Sequence, residues 1–385
     1  MTTPRIIALY LPQFHPIPEN DMWWGPGFTE WTNVVKARPL FKGHVQPKLP
    51  ADLGFYDLRL PDTREAQAKL AKEAGIEGFC YYHYWFGGKQ LLERPFNEVV
   101  ASGKPDFPFC LCWANHSWSN KTWNRKSNIQ SNSMLIEQTY PGIEDDTQHF
   151  YSLLPAFKDP RYITVDGKPL FFLFNPWEHT RVQEWIRLWK KLAKDNGLEG
   201  IHLVAMCDST LTFKLQSDGT RTRTIPNLES SADIFNSVLD MGFDAVNSFG
   251  RRRGEMLCCG KYADLFKTIL RKAGLPAGAS YYDYEKTVRG FFAPEDKWDN
   301  VYPTIMPNWD RSPRATSWDG IYVGATPTAF KKHVLQAIEL IHDKKPEHQI
   351  VILKSWNEWG EGNYVEPDQE FGHGWLNAIK EALNI

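Results

Sequence analysis

Short apolar runs recur along the chain, and most of them empty into polar or aromatic residues. Eight runs read as strands: Ile6–Leu11, Gly78–Tyr84, Phe109–Trp113, Leu170–Asn175, Ile201–Cys207, Phe243–Asn247, Tyr302–Pro307 and Ile350–Trp356. They are apolar on consecutive positions, as strands buried on both faces are. Helical periodicity fills the intervals. Asp62 with Glu65 reads as a capping box, followed by Leu70, Ala71 and Ala74, with Gly75 as the stop. Thr180 reads as the start of a helix with Val182, Trp185, Ile186, Trp189 and Leu192 on one face. Thr326 and Pro327 open a third, with Phe330, Val334, Ile338 and Ile341 at helical spacing. Eight strands, each followed by a helix, predict a single (β/α)8 TIM-type barrel over residues 1–385, with elaborated loops after the strands.

Such a barrel carries its chemistry where strands end. Tyr10, Gln13 and His15 follow the first run, Tyr82, His83 and Tyr84 end the second, and Trp113, Asn115 and His116 end the third. Asn175 closes the fourth, and Trp309, Asp310 and Arg311 follow the seventh. Trp356, Asn357, Glu358, Trp359 and Glu361 follow the eighth. Paired acids beside apolar rings acquire divergent pKa values, one held protonated and one ionised, which is what cleavage of a glycosidic bond requires. Glu358 and Glu361 are therefore the candidate catalytic pair. Trp356 and Trp359 are candidate walls of a sugar site, since flat rings with a polar edge suit the apolar face and hydroxyl rim of a sugar. An acidic surface loop is the plainer alternative for the two glutamates.

Other constellations weigh less. Along a strand, Tyr82 and Tyr84 share one face and Tyr81, His83 and Trp85 the other, so one set alone can line a pocket. His83 and His116 lack the spacing of a metal site, and neither a metal nor another cofactor is expected. Arg251, Arg252 and Arg253 could grip a phosphate or carboxylate, although a solvated loop is the commoner use of such a run.

The chain has 385 residues, 42% of them hydrophobic, enough for a sizeable core. Its net charge of −2, with 44 basic and 46 acidic residues interspersed, offers no field for nucleic acid or an anionic membrane. Aromatic residues reach 14%, including 16 Trp, which favours a carbohydrate partner. No apolar stretch approaches the roughly 20 residues of a membrane span. No leader is visible, so a cytoplasmic protein is expected. The six cysteines form no C-x-x-C pair and read as reduced thiols.

Several segments resemble the WbsX-like family: Ala8-Leu-Tyr-Leu-Pro-Gln-Phe-His-Pro-Ile-Pro-Glu-Asn20, Trp23-Trp-Gly25, and Gly27-Phe-Thr-Glu-Trp-Thr-Asn33, which contains Trp31. Gly78 to Phe86, Cys110 to Asn115 and Ser355 to Gly362 do so as well. The resemblance runs from about residue 5 to 380. That family has been described as glycosyltransferases of polysaccharide biosynthesis and is related to glycoside hydrolase family 99, the (β/α)8 endo-α-mannosidases. It implies a retaining hydrolase of α-linked glycans working through a 1,2-anhydro sugar. Glu358 would deprotonate the substrate 2-hydroxyl, and Glu361 would serve as general acid and then base; a glycosyltransferase is the alternative. The chain departs from its relatives at His116-Ser117, where Glu-Asn is usual, and at Asn247 and the residues after it. Both places end strands, so mannose is not assumed as the sugar.

Overall fold

A computed structural model describes residues 3–119, 134–210, 213–215, 221–223, 227–260, 270, 281–314 and 320–385. Parts of the long connections at about 114–140 and 209–230 thus lie outside the described residues. The eight barrel strands are β1 Arg5–Tyr10, β2 Gly78–Phe86, β3 Phe109–Trp113, β4 Lys168–Leu173, β5 His202–Asp208, β6 Ala245–Phe249, β7 Val301–Ile305 and β8 Ile350–Leu353. Each is parallel to its neighbours. Pairing of β1 with both β2 (Ile7 opposite Gly78) and β8 (Arg5 opposite Ile350) closes the sheet, so the expected barrel is the observed one. All nine residues of β2 and all of β3, β7 and β8 are buried, since strand faces meet the interior on one side and the helices on the other.

The connecting helices are α1 Pro18–Trp24, α2 Glu30–Lys36 and α3 Pro61–Glu73 after β1, then α4 Arg94–Ser102, α5 Ile143–Phe157, α6 Val182–Asp195, α7 Ala232–Leu239, α8 Arg251–Cys259, α9 Tyr284–Val288, α10 Pro327–Ile341 and α11 Gly374–Leu383. Two expected helix starts move. The α3 helix begins at Pro61 with Leu60 before it and no side-chain cap, so Asp62 is a first-turn acid and forms no capping box. The proline's fixed φ supplies the start instead. Helix α6 begins after Arg181, not at Thr180. Thr326 does cap α10, its hydroxyl accepting from the Ala329 N–H at 3.2 Å.

The eighth strand ends three residues earlier than its apolar run. Beyond Leu353 the chain leaves the ladder: the Trp356 N–H donates to Leu9 O at 2.8 Å, and Asn357–Glu358 pairs antiparallel with Asn363–Tyr364. This small hairpin holds both candidate glutamates above the barrel mouth. No helix among the described residues is long and apolar enough to cross a membrane.

Candidate active site at the carboxyl end of the barrel

A cavity of about 310 Å³ opens at the strand ends. Gln13 reaches it after β1, Asn20 and Trp24 from α1, Tyr82 and Tyr84 from β2, His116 and Trp118 after β3, and Phe174 after β4. Phe249 enters from β6 and Arg251 from the start of α8, Trp309, Arg311 and Arg314 after β7, and Lys354, Glu358 and Glu361 after β8.

Arg314 organises the acids. Its Nη2 lies 2.7 Å from Glu358 Oε2, its Nη1 3.0 Å from Glu361 Oε1 and its Nε 2.7 Å from Glu30 Oε1. Arg311 Nε adds a contact of 3.1 Å to Glu361 Oε1, and Lys354 Nζ stands 3.9 Å from Glu361 Oε2. These neighbours separate the carboxyls. Burial raises the Glu358 pKa, Arg314 opposes that and Glu361 adds to it. For Glu361 burial also acts upward, but Arg311, Arg314, Lys354 and Arg251 outweigh it and hold the group at about 2. Glu30, with no exposed surface, is pushed up by burial to about 7 in spite of Arg314. Burial lowers the pKa of His116, so its ring is neutral near pH 7.

Glu30 folded is thus a weaker acid than Glu30 unfolded, and its contribution to stability is fully present below pH 4.5 and lost as pH rises to about 7. Glu30→Gln, which keeps an acceptor for Arg314, is expected to remove a fall in stability of the order of 3 kcal/mol across that window. Urea titrations of both proteins from pH 4.5 to 8 measure it. Two curves of the same slope would mean that Glu30 does not carry the effect.

The glycines of Trp359-Gly-Glu-Gly362 are spacers for this cluster. A Cβ on Gly360 would stand 1.7 Å from Glu30 Oε1 and 2.8 Å from Arg314 Nε, and one on Gly362, whose φ is +66°, would stand 2.9 Å from Asp310 Cβ. Gly360→Ala is therefore expected to displace Glu30 and cost about 1–3 kcal/mol. Thermal unfolding checks it, and an unchanged melting temperature would contradict the close approach.

Of the residues expected at the site, the cavity collects Gln13, Tyr82, Tyr84, His116, Trp309, Arg311, Glu358 and Glu361. Others face elsewhere for reasons of strand period. Tyr10, His83 and Trp113 point outward from the barrel: Tyr10 Oη donates to Gln67 on α3, His83 meets His149 on α5 at 2.8 Å, and Trp113 packs on His149 and on Trp185 of α6. Asn115 and Asn175 pin β3 to β4, with Asn115 Nδ2 donating to Asn175 O and the Asn175 N–H returning to Asn115 Oδ1. Asn247, on β6, donates to Tyr302 O and Thr304 Oγ1 of β7. Asn357 clamps the Leu11 backbone through both side-chain atoms. His15 is 1% exposed and outside the cavity lining.

The two expected tryptophan walls are core. Trp356 has no exposed surface, and Trp359, 1% exposed, stacks on Tyr364 while its indole N–H donates to Glu366 at 2.6 Å. Trp31 packs beside Trp359 and donates to Tyr56 O. Asp310 turns away to accept from His44 and Gln46 at 2.7 and 2.6 Å. Tryptophan 309 and Tyr82 and Tyr84 supply aromatic surface instead. Of the basic run, Arg251 reaches the cavity, where it lies 4.4 Å over the Trp309 ring and pairs with Glu255. Arg253 is occupied by the carbonyls of Leu228, Gly290 and Phe292.

Sequence reasoning missed Glu30, Arg314 and Lys354. Lys354 had a signal, a lone charge at the end of an apolar strand. Glu30 lies inside a segment that carries the family resemblance, and nothing local marks Arg314. No group of three His, Cys, Asp or Glu among the described residues could hold a metal ion.

Comparison with known proteins fits this arrangement. The chain is 34% identical over 379 residues to an uncharacterized protein, WxcX, of Xanthomonas campestris pv. campestris (strain B100), and equally to that of a second strain. The match takes in 98% of this chain and 49% of the relative, so the chain spans about half the length of the curated proteins it matches. Among solved structures it resembles a glycoside hydrolase-like protein (TM-score 0.58, 14% identity, 100% of this chain and 95% of the other). It also resembles the GH99 endo-alpha-mannosidase of Bacteroides thetaiotaomicron (TM-score 0.52, 12% identity, 100% and 98%). At these identities the likeness is one of fold, the (β/α)8 barrel. The family model described as Glycosyltransferase WbsX matches residues 6–379, essentially the whole barrel, and the chain belongs to that family.

Proposed function

We propose that the protein is a retaining glycoside hydrolase of α-linked oligosaccharides or polysaccharides, with Glu358 and Glu361 as its catalytic pair. The observation that carries the reading is one guanidinium, Arg314, binding two carboxyls of divergent acidity at the mouth of a (β/α)8 barrel. Tyr82, Tyr84 and Trp309 supply sugar-stacking surface in the same cavity. By resemblance to family 99, Glu358 takes the proton of the substrate 2-hydroxyl, O2 attacks C1, and the bond from C1 to the leaving oxygen breaks as Glu361 protonates that oxygen. Glu361 then takes a proton from water, which opens the 1,2-anhydro ring at C1, and O2 recovers its proton from Glu358. A glycosyltransferase, as the family is described, differs in that an acceptor hydroxyl takes the place of water.

The field of the protein's own groups favours a second allocation of roles, because Glu358 is the carboxyl with raised pKa and Glu361 the ionised one. In that reading Glu358 is the acid and Glu361 the base. Aryl glycosides separate the two: their leaving group needs no proton, so the glutamine variant of the acid keeps turnover on them and that of the base does not.

Screening defined α-glycans with NMR detection of the product anomer tests the whole reading. A first-formed product with the substrate's anomeric configuration is expected. An inverted product would sink the retaining mechanism, and calorimetric binding of nucleotide sugars with no hydrolysis of any glycan would favour transfer.

A further inference from the structure

Lys354 has a setting that cleavage of a neutral sugar does not require. It is 7% exposed, and its ammonium lies 6.0, 5.8 and 5.9 Å from the ring centres of Tyr82, Phe249 and Trp309. Its described polar neighbours are Tyr82 Oη at 3.4 Å, a long hydrogen bond, and Glu361 Oε2 at 3.9 Å. An ammonium taken out of water and given one long hydrogen bond leaves most of its donor capacity unused. Three aromatic faces offset part of that cost.

The rest of the wall carries more cations than carboxylates. Among the described residues lining the cavity stand four cations, Arg251, Arg311, Arg314 and Lys354, and two carboxylates, Glu358 and Glu361. Behind them lie Glu30 on Arg314 and Glu255 on Arg251. Asn20 Nδ2 and Trp309 Nε1 belong to residues 1% and 5% exposed that line the cavity, and neither N–H group has a hydrogen-bond partner among the described residues. A sugar hydroxyl both donates and accepts, so a wall built for neutral sugars offers both kinds of partner. This one adds four cations and two N–H groups unpartnered among the described residues, which suit a group that only accepts.

We propose, resting on the glycosidic reading above, that the sugar bound here carries an anionic group, a carboxylate or a phosphate, seated between Lys354, Arg251 and the Trp309 indole N–H. Such a group completes the hydrogen bonding of Lys354 and meets the positive charge of Arg251 over its ring. It also draws Lys354 away from Glu361, which relieves part of the field that keeps Glu361 ionised and moves that carboxyl toward the acid role that the family resemblance implies.

Calorimetry on the full chain at pH 7 and low salt tests this with glucuronate, galacturonate and mannuronate against glucose, galactose and mannose, and with the hexose 1-phosphates and inorganic phosphate. At least one acidic sugar is expected to bind about tenfold or more tightly than its neutral parent. A uronate response assigns a carboxylate and a sugar-phosphate response a phosphate. Lys354→Met and Arg251→Gln should each erase most of the preference and Lys354→Arg should keep it, with folding of each variant checked by near-UV circular dichroism. Should Lys354→Met fail to fold, Arg251→Gln and the wild-type pairs decide. The inference is overturned if every acidic sugar binds like its parent, if the preference survives both substitutions, or if inorganic phosphate alone binds as tightly as the sugar phosphates. Turnover of a neutral α-glycan that is lost in Glu361→Gln, with no acidic preference, removes the anion and leaves the glycosidic reading intact. Acidic preference without turnover of any α-glycan does the reverse.

Discussion

Glu361→Gln should lower turnover on an α-linked glycan by about 10²–10⁴-fold, the usual worth of a positioned proton-transfer group. The loss follows under either allocation of roles, because an amide can neither give nor take the proton at neutral pH. The same substitution changes the electrostatics of the site in a second, independent way. Folded Glu361 sits at about 2, below its ordinary 4.5, so it stabilises the fold above pH 4.5, and that contribution disappears as pH falls through about 2. The wild type should lose about 3 kcal/mol over this window through Glu361 alone, and the glutamine variant should not. At neutral pH the variant should be the less stable protein, since Arg311, Arg314 and Lys354 lose their shared carboxylate. Glu358 should ionise at lower pH in the variant, because Glu361 is one of the groups holding it up. Kinetics, urea melts from pH 2 to 7 and carboxyl NMR read the three effects. Undiminished turnover would remove Glu361 from the mechanism, and an unchanged acid limb would remove the cation cluster as the cause of its low pKa.

Arg314→Met is expected to do the most damage to stability. Its side chain is 7% exposed and its three nitrogens each meet a different carboxylate, those of Glu30, Glu358 and Glu361. Removing one partner of a buried pair typically costs about 3–5 kcal/mol, because the other charge stays behind in a dry setting. Here two of the three abandoned groups, Glu30 and Glu358, already have raised pKa values while Arg314 still opposes the shift. Without it both rise further. The variant should therefore be most stable at low pH, where the carboxyls are neutral, and its stability should fall more steeply than that of the wild type between pH 5 and 8. Adding Glu30→Gln should recover part of the loss at pH 8, since it leaves one fewer stranded acid. Urea midpoints at pH 5 and 8 for wild type, single and double variants form the test. A single variant as stable as wild type at pH 8 would show that Arg314 is not the hub of the cluster.

The barrel and the place of the two glutamates at its mouth were legible in the sequence because both are written locally. Eight apolar runs of strand length, separated by 3.6-period segments, admit few architectures, and the loop after the eighth run advertised Glu358 and Glu361 beside two glycines. The alternation along β2 also limited the choice to one face, and the cavity takes Tyr82 and Tyr84 while His83 goes to α5. Less legible was which conspicuous residues line the cavity and which hold the frame. Trp356 and Trp359 sit beside the acids in sequence, yet the hairpin that carries the acids turns both rings into the core, where Glu366 accepts from Trp359.

By itself, the sequence determined the elements, the closed parallel barrel and the end of it at which Glu358 and Glu361 line a cavity, because periodicity and burial act between residues a few positions apart. The tertiary structure alone decided the electrostatics. Glu30 lies 284 positions from Arg314 and Tyr82 lies 272 from Lys354, and no local pattern reports such pairings. Charges shift one another through space over a few ångströms, so the state of Glu358 and Glu361 is set by whichever distant segments the barrel brings to its mouth. Those segments are the start of α2 at Glu30, the turn from Arg311 to Arg314 and Lys354 just past β8.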